Sequence, residues 1–164
     1  MKIHEFNLTP YPRKLWVIKK WTEKELKEAF CRYDGGEVDW DLDDNENLIE
    51  AKVISKVQFK ESEYLGIVVL LKPNVKNKIL AHESGHIALS LFDEIDSYAN
   101  PNDQEPFCYL LGYIYDCLEQ VKRNKFRHLY TKRHLAFINA NVAKTKLHLK
   151  NSINPTDGAS EIGR

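Results

Sequence analysis

One stretch of this chain is apolar with almost no interruption. Residues 64–72 read Tyr-Leu-Gly-Ile-Val-Val-Leu-Leu-Lys. A strand with one solvated face alternates apolar and polar side chains, whereas a strand covered on both faces carries a continuous apolar run. The stretch therefore predicts a central strand with other elements packed on both of its faces. Pro73 and Asn74 end it, and a helix is expected from Val75 to Asp93.

Two further strands are indicated. Residues 14–19 read Lys-Leu-Trp-Val-Ile-Lys, which is typical of a buried strand. Residues 52–61 alternate, and period two places Val53, Ser55, Val57 and Phe59 together on one face. The short polar turn 61–63 would join this strand to the central one as a hairpin. With the helices below, the pattern indicates an α+β fold with a short mixed or antiparallel sheet.

Helix signals flank these strands. Thr22, followed by Glu25, predicts a capping box at the start of a helix over 23–32, which the turn 34–36 would end. Another helix is expected over 104–122, with Asp103 or Asn102 as its N-cap and Pro106 in its first turn. Residues 126–150 are predicted to be helical with basic stretches.

Composition limits the class of protein. The 164 residues, 43% hydrophobic and 29% charged, are typical of one globular domain, predicted here over 1–150 with a flexible tail over 151–164. The formal net charge is zero, so no overall field favours nucleic acid or membrane. No apolar run reaches the roughly 20 residues that span a bilayer. The first residues also lack the apolar core of a signal peptide, so we expect a cytoplasmic protein.

The chemistry-bearing motif lies within the helix predicted after the central strand. It is His82-Glu83-Ser84-Gly85-His86, the pattern H-E-x-x-H. Residues four apart share one face of a helix, so the two imidazoles could bind one Zn²⁺. Steps of 100° place a core stripe of Leu80, Ala81, Ile87, Ala88 and Leu91 on roughly the opposite side. Glu83, beside the ligand face, could act as general base towards a zinc-bound water.

A catalytic zinc ion usually has three protein ligands and one open position. Asp93 lies on the ligand face but about 10 Å further along the helix, and Glu94 and Asp96 at the helix end are weaker alternatives. The remaining candidate is Glu105, separated from His86 by eighteen residues. An antiparallel second helix could bring it back towards the motif.

The spacing H-E-x-x-H-x18-E resembles the gluzincin group of metallopeptidases. The resemblance covers about residues 64–121 and implies a small zincin-like domain, a Zn²⁺ cofactor held by His82, His86 and Glu105, and Glu83 at the general-base position. Many gluzincins have Asn just before the ligand Glu and Asp four positions after it, where this chain has Gln104 and Tyr109. The short chain is also similar to predicted metallopeptidases encoded by phages and mobile elements. Its location would then be a host cytoplasm or a virion.

The function expected from these residues is zinc-dependent hydrolysis of peptide bonds in a peptide or protein substrate, by an endopeptidase more than an exopeptidase. Tyr109 and Tyr113 follow Glu105 at helical spacing and are candidate catalytic hydrogen-bond donors to an oxyanion. The alternative is a zinc-stabilised, catalytically weak or inactive interaction module, virion-associated or otherwise. A basic segment over 122–150 could dock nucleic acid, with Lys122, Arg123, Lys125 and Arg127 as the candidate contacts.

Overall fold

The fold is α+β, as the sequence predicts, and is built on a five-stranded mixed sheet. The computed structural model describes residues 1–42 and 50–126, all within one compact unit. The elements in chain order are β1 (Lys2–Asn7), β2 (Lys14–Lys19), α1 (Glu23–Ala29), β3 (Phe30–Arg32), β4 (Ala51–Phe59), β5 (Leu65–Leu71), α2 (Asn77–Glu94) and α3 (Glu105–Arg123). The strand order is β1-β2-β5-β4-β3, in which β2 and β5 are parallel and the other neighbours antiparallel.

The central strand β5 is covered on both faces, which confirms the prediction from its continuous apolar run. Ile67, Val69 and Leu71 belong to the helix-pair core, the buried cluster between the sheet and helices α2 and α3. Val68 and Leu70 belong to the aromatic core on the other face. The aromatic core consists of Trp16, Ile18, Leu26, Phe30, Val38, Trp40, Val57, Val68 and Leu70.

The alternation predicted along β4 is wrong after its middle. Val53 packs against the helix-pair core, whereas Val57 and Phe59 contact the aromatic core. A β-bulge between Ile54 and Val57 causes the change, and Lys56 within it has a φ of 57°. An extra residue in one strand shifts every later side chain to the other face of the sheet.

Helix α1 begins where predicted but ends earlier. The Thr22 hydroxyl accepts from Glu25 N, and the Glu25 carboxylate accepts from Thr22 N, so the capping box is confirmed. The predicted end at Arg32 is wrong, because Phe30–Arg32 form β3 and pair with β4. Burial of Phe30 among the aromatic side chains and this strand pairing together outweigh the helical pattern.

Helices α2 and α3 run antiparallel across the helix-pair core. The Phe92 and Phe107 rings lie 5.7 Å apart at one end of the pair, and Lys122 Nζ donates to Asn77 Oδ1 over 2.6 Å at the other. The predicted side-chain cap of α3 is wrong: Gln104 is the N-cap, and no side chain caps the helix. Pro106 does lie in the first turn, as predicted.

Besides β3, the structure adds a strand at the N-terminus that the sequence did not indicate. β1 pairs with β2 at the sheet edge, and its burial pattern shows no fully buried position. Among the described residues, no helix combines the length and apolarity needed to cross a membrane. Apart from its first residue, the predicted helical segment over 126–150 lies outside the described residues, and so does the domain boundary at residue 150.

Candidate metal centre

Helix α2 carries the H-E-x-x-H motif and is fixed through its opposite face. Leu80, Ile87, Ala88 and Leu91 are fully buried in the helix-pair core. Ala81, predicted in this stripe, is exposed instead, about two turns nearer the start of the helix than the buried Ala88. The helix is therefore held by its core face, and the motif histidines lie on the other side.

The two motif histidines converge on the exposed face of α2. His82 and His86 are both solvent-exposed, and their Nε2 atoms lie 3.0 Å apart. Two zinc–nitrogen bonds of 2.0–2.1 Å in tetrahedral geometry would place the two nitrogens about 3.3 Å apart. The observed separation is therefore within a few tenths of an ångström of what a shared metal ion requires.

Glu83 differs from its neighbours in burial. The residue is 9% exposed, although it lies between two exposed histidines. Its carboxylate has no hydrogen-bond or ion-pair partner in the part of the chain that the structure describes. Burial raises the pKa of Glu83, and the nearby His82 and His86 oppose that rise. Its oxygens nonetheless reach solvent, because the fully buried side-chain atoms without a partner among the described residues are His4 Nε2 and Trp40 Nε1.

The structure does not bring Glu105 to the histidine pair. Glu105 is the exposed first residue of α3. The Phe92–Phe107 contact sets it level with Glu94, eight residues beyond His86, which corresponds to about 12 Å along the helix. Within residues 1–42 and 50–126, no three His, Cys, Asp or Glu side chains form a group that could hold a metal ion.

The alternative acidic ligands on α2 are engaged elsewhere. Asp93 pairs with Lys56 Nζ at 3.1 Å. The Glu94 side chain is 1% exposed and accepts from Arg13 Nε, from Lys56 N and from the Tyr33 hydroxyl. Glu94 thus joins three separate segments to the C-terminal end of α2. No local sequence signal could indicate this role, because the three donors are distant in the chain.

The two tyrosines proposed as catalytic donors lie on α3. The Tyr113 hydroxyl donates to the Asn7 carbonyl over 2.8 Å, which ties α3 to the end of β1. Tyr113 also contacts Cys117, a buried thiol whose pKa burial raises to about 12. Tyr109 is 43% exposed. These positions do not test a catalytic role, which stays a prediction for both residues.

The predicted nucleic-acid contacts are partly used within the protein. Lys122 donates to Asn77, and Arg123 pairs with Glu119 at 2.7 Å one helical turn away. Lys125 is exposed, and Arg127 lies outside the described residues.

Comparison with known proteins finds no matching family model, no significantly similar curated protein and no significantly similar solved structure. The likeness to gluzincins therefore depends on the motif and its spacing alone.

Proposed function

We propose that this protein is a zinc-dependent hydrolase of peptide bonds, centred on His82, Glu83 and His86. The observation that carries the proposal is Glu83, a residue only 9% exposed whose carboxylate has no protein partner among the described residues. It follows His82 in the chain and lies near an imidazole pair whose Nε2 atoms are 3.0 Å apart. Perturbed acids beside candidate ligands are frequent at catalytic centres. A purely structural metal site would have no use for such a carboxylate.

The two donors are of a kind that zinc binds. His82 and His86 offer two imidazole nitrogens, and their helix is held by a packed core. A bound zinc ion would supply Lewis-acid activation of water and of a carbonyl oxygen. The third protein ligand proposed from the sequence is Glu105. To reach the histidines, the chain would have to change its conformation between the end of α2 and the start of α3.

The reaction assigns one task to Glu83. Its carboxylate takes a proton from the attacking water and passes that proton to the leaving amine. His82 and His86 lie one helical turn apart on α2 and would hold the metal ion. The buried stripe of α2 keeps these three side chains in a fixed relation during turnover.

The test measures zinc content and peptide cleavage on the same preparations. Elemental analysis should find about one zinc per chain in the wild type, and the His82→Ala variant should lose it. Glu83→Gln should keep zinc and lose cleavage of a mixed fluorogenic peptide library by at least about a hundredfold. Glu28→Gln, a change of the same kind on the exposed face of α1, is the control and should behave as wild type. Loss of zinc in Glu83→Gln would make Glu83 a ligand and overturn the assignment.

Glu105→Ala tests the third ligand separately. A ligand carboxylate should contribute at least about tenfold to zinc affinity, measured by competition with a chromogenic chelator. Unchanged affinity would remove Glu105 from the site and leave the histidine pair in need of another donor.

A second candidate function is a zinc-stabilised module without catalysis. The observation that bears on it is that no third described ligand joins His82 and His86, so a catalytic centre is incomplete among the described residues. A structural zinc site would need four protein ligands, so this alternative requires further donors as well. Zinc at a hundred times its dissociation constant would then raise the unfolding free energy by about 2.7 kcal/mol, and no peptide would be cleaved. Cleavage that depends on Glu83 would exclude this alternative.

A further inference from the structure

A cavity lies at the end of the sheet where β5 leads into Pro73. Its volume is about 310 Å³, which is at the lower end of the range for small-molecule sites. Leu70 and Ala51 contribute buried apolar surface, and Leu42 and Pro73 add to the lining. Leu70, Trp21 and Leu42 belong to or pack against the aromatic core, whereas Ala51 belongs to the helix-pair core. Neither His82 nor His86 lines the cavity, so the site is separate from the histidine pair.

Trp21 gives the cavity an aromatic wall. Of the three tryptophans in the chain, Trp16 and Trp40 are 0% and 2% exposed, whereas Trp21 is half-buried and lines the cavity. An indole in contact with solvent beside apolar side chains is suited to stack against a planar ring. Trp21 is also positioned to report such a ligand, because its environment would change on binding.

Among the described residues that line the cavity, three lysines outnumber two carboxylates. Both of these carboxylates have partners, since Asp41 pairs with Lys52 at 2.8 Å and Glu50 with Lys76 at 2.9 Å. Lys20 and Lys72 also line the cavity and make no ion pair with any described residue. Two ammonium groups beside an indole and an apolar floor match a ligand that combines a ring with a negative charge.

We propose that this cavity binds a small planar aromatic anion, with the ring against Trp21 and the anionic group between Lys20 and Lys72. Two sources share this chemistry: a mononucleotide, which carries a base and a phosphate, and an aromatic carboxylate such as a peptide C-terminus. No single segment of the sequence indicates the site, because its lining comes from parts of the chain far apart in number. The proposal does not depend on zinc or on peptide cleavage.

The experiment uses the full chain, with adenosine monophosphate and N-acetylphenylalanine as the two probes. Each is titrated while the three indole N–H signals are followed by NMR, with the Trp21 signal assigned by its loss in Trp21→Phe. We expect saturable movement of the Trp21 signal alone with one or both probes. Saturation by only one probe identifies the source of the anion and supports the proposal.

Two double variants test whether the cavity lysines contact the anionic group. Each exposed ion pair changes affinity about two- to fivefold, so Lys20→Gln with Lys72→Gln should weaken binding about tenfold. Lys24→Gln with Lys60→Gln, outside the cavity, is the matched control and should bind as wild type. Equal weakening in both pairs, or equal binding of adenosine without its phosphate, would overturn the proposal.

Failure of both probes to saturate would overturn it as well. The proposal would also be overturned if binding appeared only in a variant that combines Asp43→Asn, Asp44→Asn and Glu46→Gln. That result would mean that the chain's own acidic residues, rather than a ligand, satisfy the lysines.

Discussion

Replacing Glu94 should destabilise this protein more than any other single change of a carboxylate at the end of α2. Its side chain is 1% exposed and accepts hydrogen bonds from Arg13 Nε and Lys56 N, each at 3.0 Å, and from the Tyr33 hydroxyl. The Lys56 amide belongs to the bulge of β4, where an extra residue interrupts the regular pairing of the strand. Glu94→Ala would remove the acceptor for all three donors.

The expected loss of unfolding free energy follows from the burial of the Glu94 side chain. Removing one partner of a buried ion pair costs about 3–5 kcal/mol, because the other charge stays desolvated. Arg13 is 18% exposed and can regain some water, so we expect the lower end, about 3 kcal/mol. Glu94→Gln keeps the volume but directs an amide N–H at one of the donors, and about 2 kcal/mol should be lost.

The assay is urea unfolding followed by tryptophan fluorescence, with m-values compared between variants. Asp93→Asn is the matched control, because that neighbouring carboxylate is 71% exposed and its pair with Lys56 lies in solvent. It should cost less than about 0.5 kcal/mol. A loss below about 1 kcal/mol in Glu94→Ala, or one equal to that in Asp93→Asn, would refute the reasoning.

Two further predictions concern β5 and α1. Gly66→Ala should cost about 3 kcal/mol or more by urea unfolding, because an added Cβ would lie 2.1 Å from the Lys14 carbonyl oxygen on the paired strand. Gly112→Ala in α3 meets no atom within 4 Å and is the control, expected to be neutral or slightly stabilising. Thr22→Ala should cost about 1 kcal/mol by loss of the capping box, and Thr22→Ser should restore most of it. A Thr22→Ser variant as unstable as Thr22→Ala would contradict that account.

The elements predicted best are those whose burial is complete. The run through Val68 and Val69 required cover on both faces of β5, and the structure has a buried cluster on each. The start of α1 was predictable because its cap is local: Thr22 and Glu25 bond to each other, although the other Glu25 oxygen also accepts from the Met1 ammonium. Such signals need no knowledge of the rest of the fold.

Other elements depend on partners that are distant in sequence. β1 has no fully buried residue, so its pattern is weak, and it exists by pairing with β2. Phe30 continues a helical pattern but contributes to a strand, because β4 and the aromatic core offer it more contacts than another turn of helix would. Tertiary pairing outweighs local propensity in both cases.

In the candidate site, too, one feature was predictable from nearby residues and another depends on distant contacts. The spacing of His82 and His86 within one helix fixes their separation, so their convergence was predictable from two positions in the chain. The location of Glu105 was not, because it depends on where α2 ends and on how α3 packs against it. The contact between Phe92 and Phe107, which sets that relation, lies outside the motif.

The bulge in β4 places the two halves of one strand in different cores. Val53, before it, shares its layer with the motif helix, and Val57, after it, shares a layer with Trp16 and Phe30. Homologous chains would therefore vary Val53 together with residues of α2 and α3, and Val57 together with α1 and its aromatic neighbours. Deleting one residue between Ile54 and Val57 would turn the later side chains of β4 towards the other core, rather than simply shorten the strand.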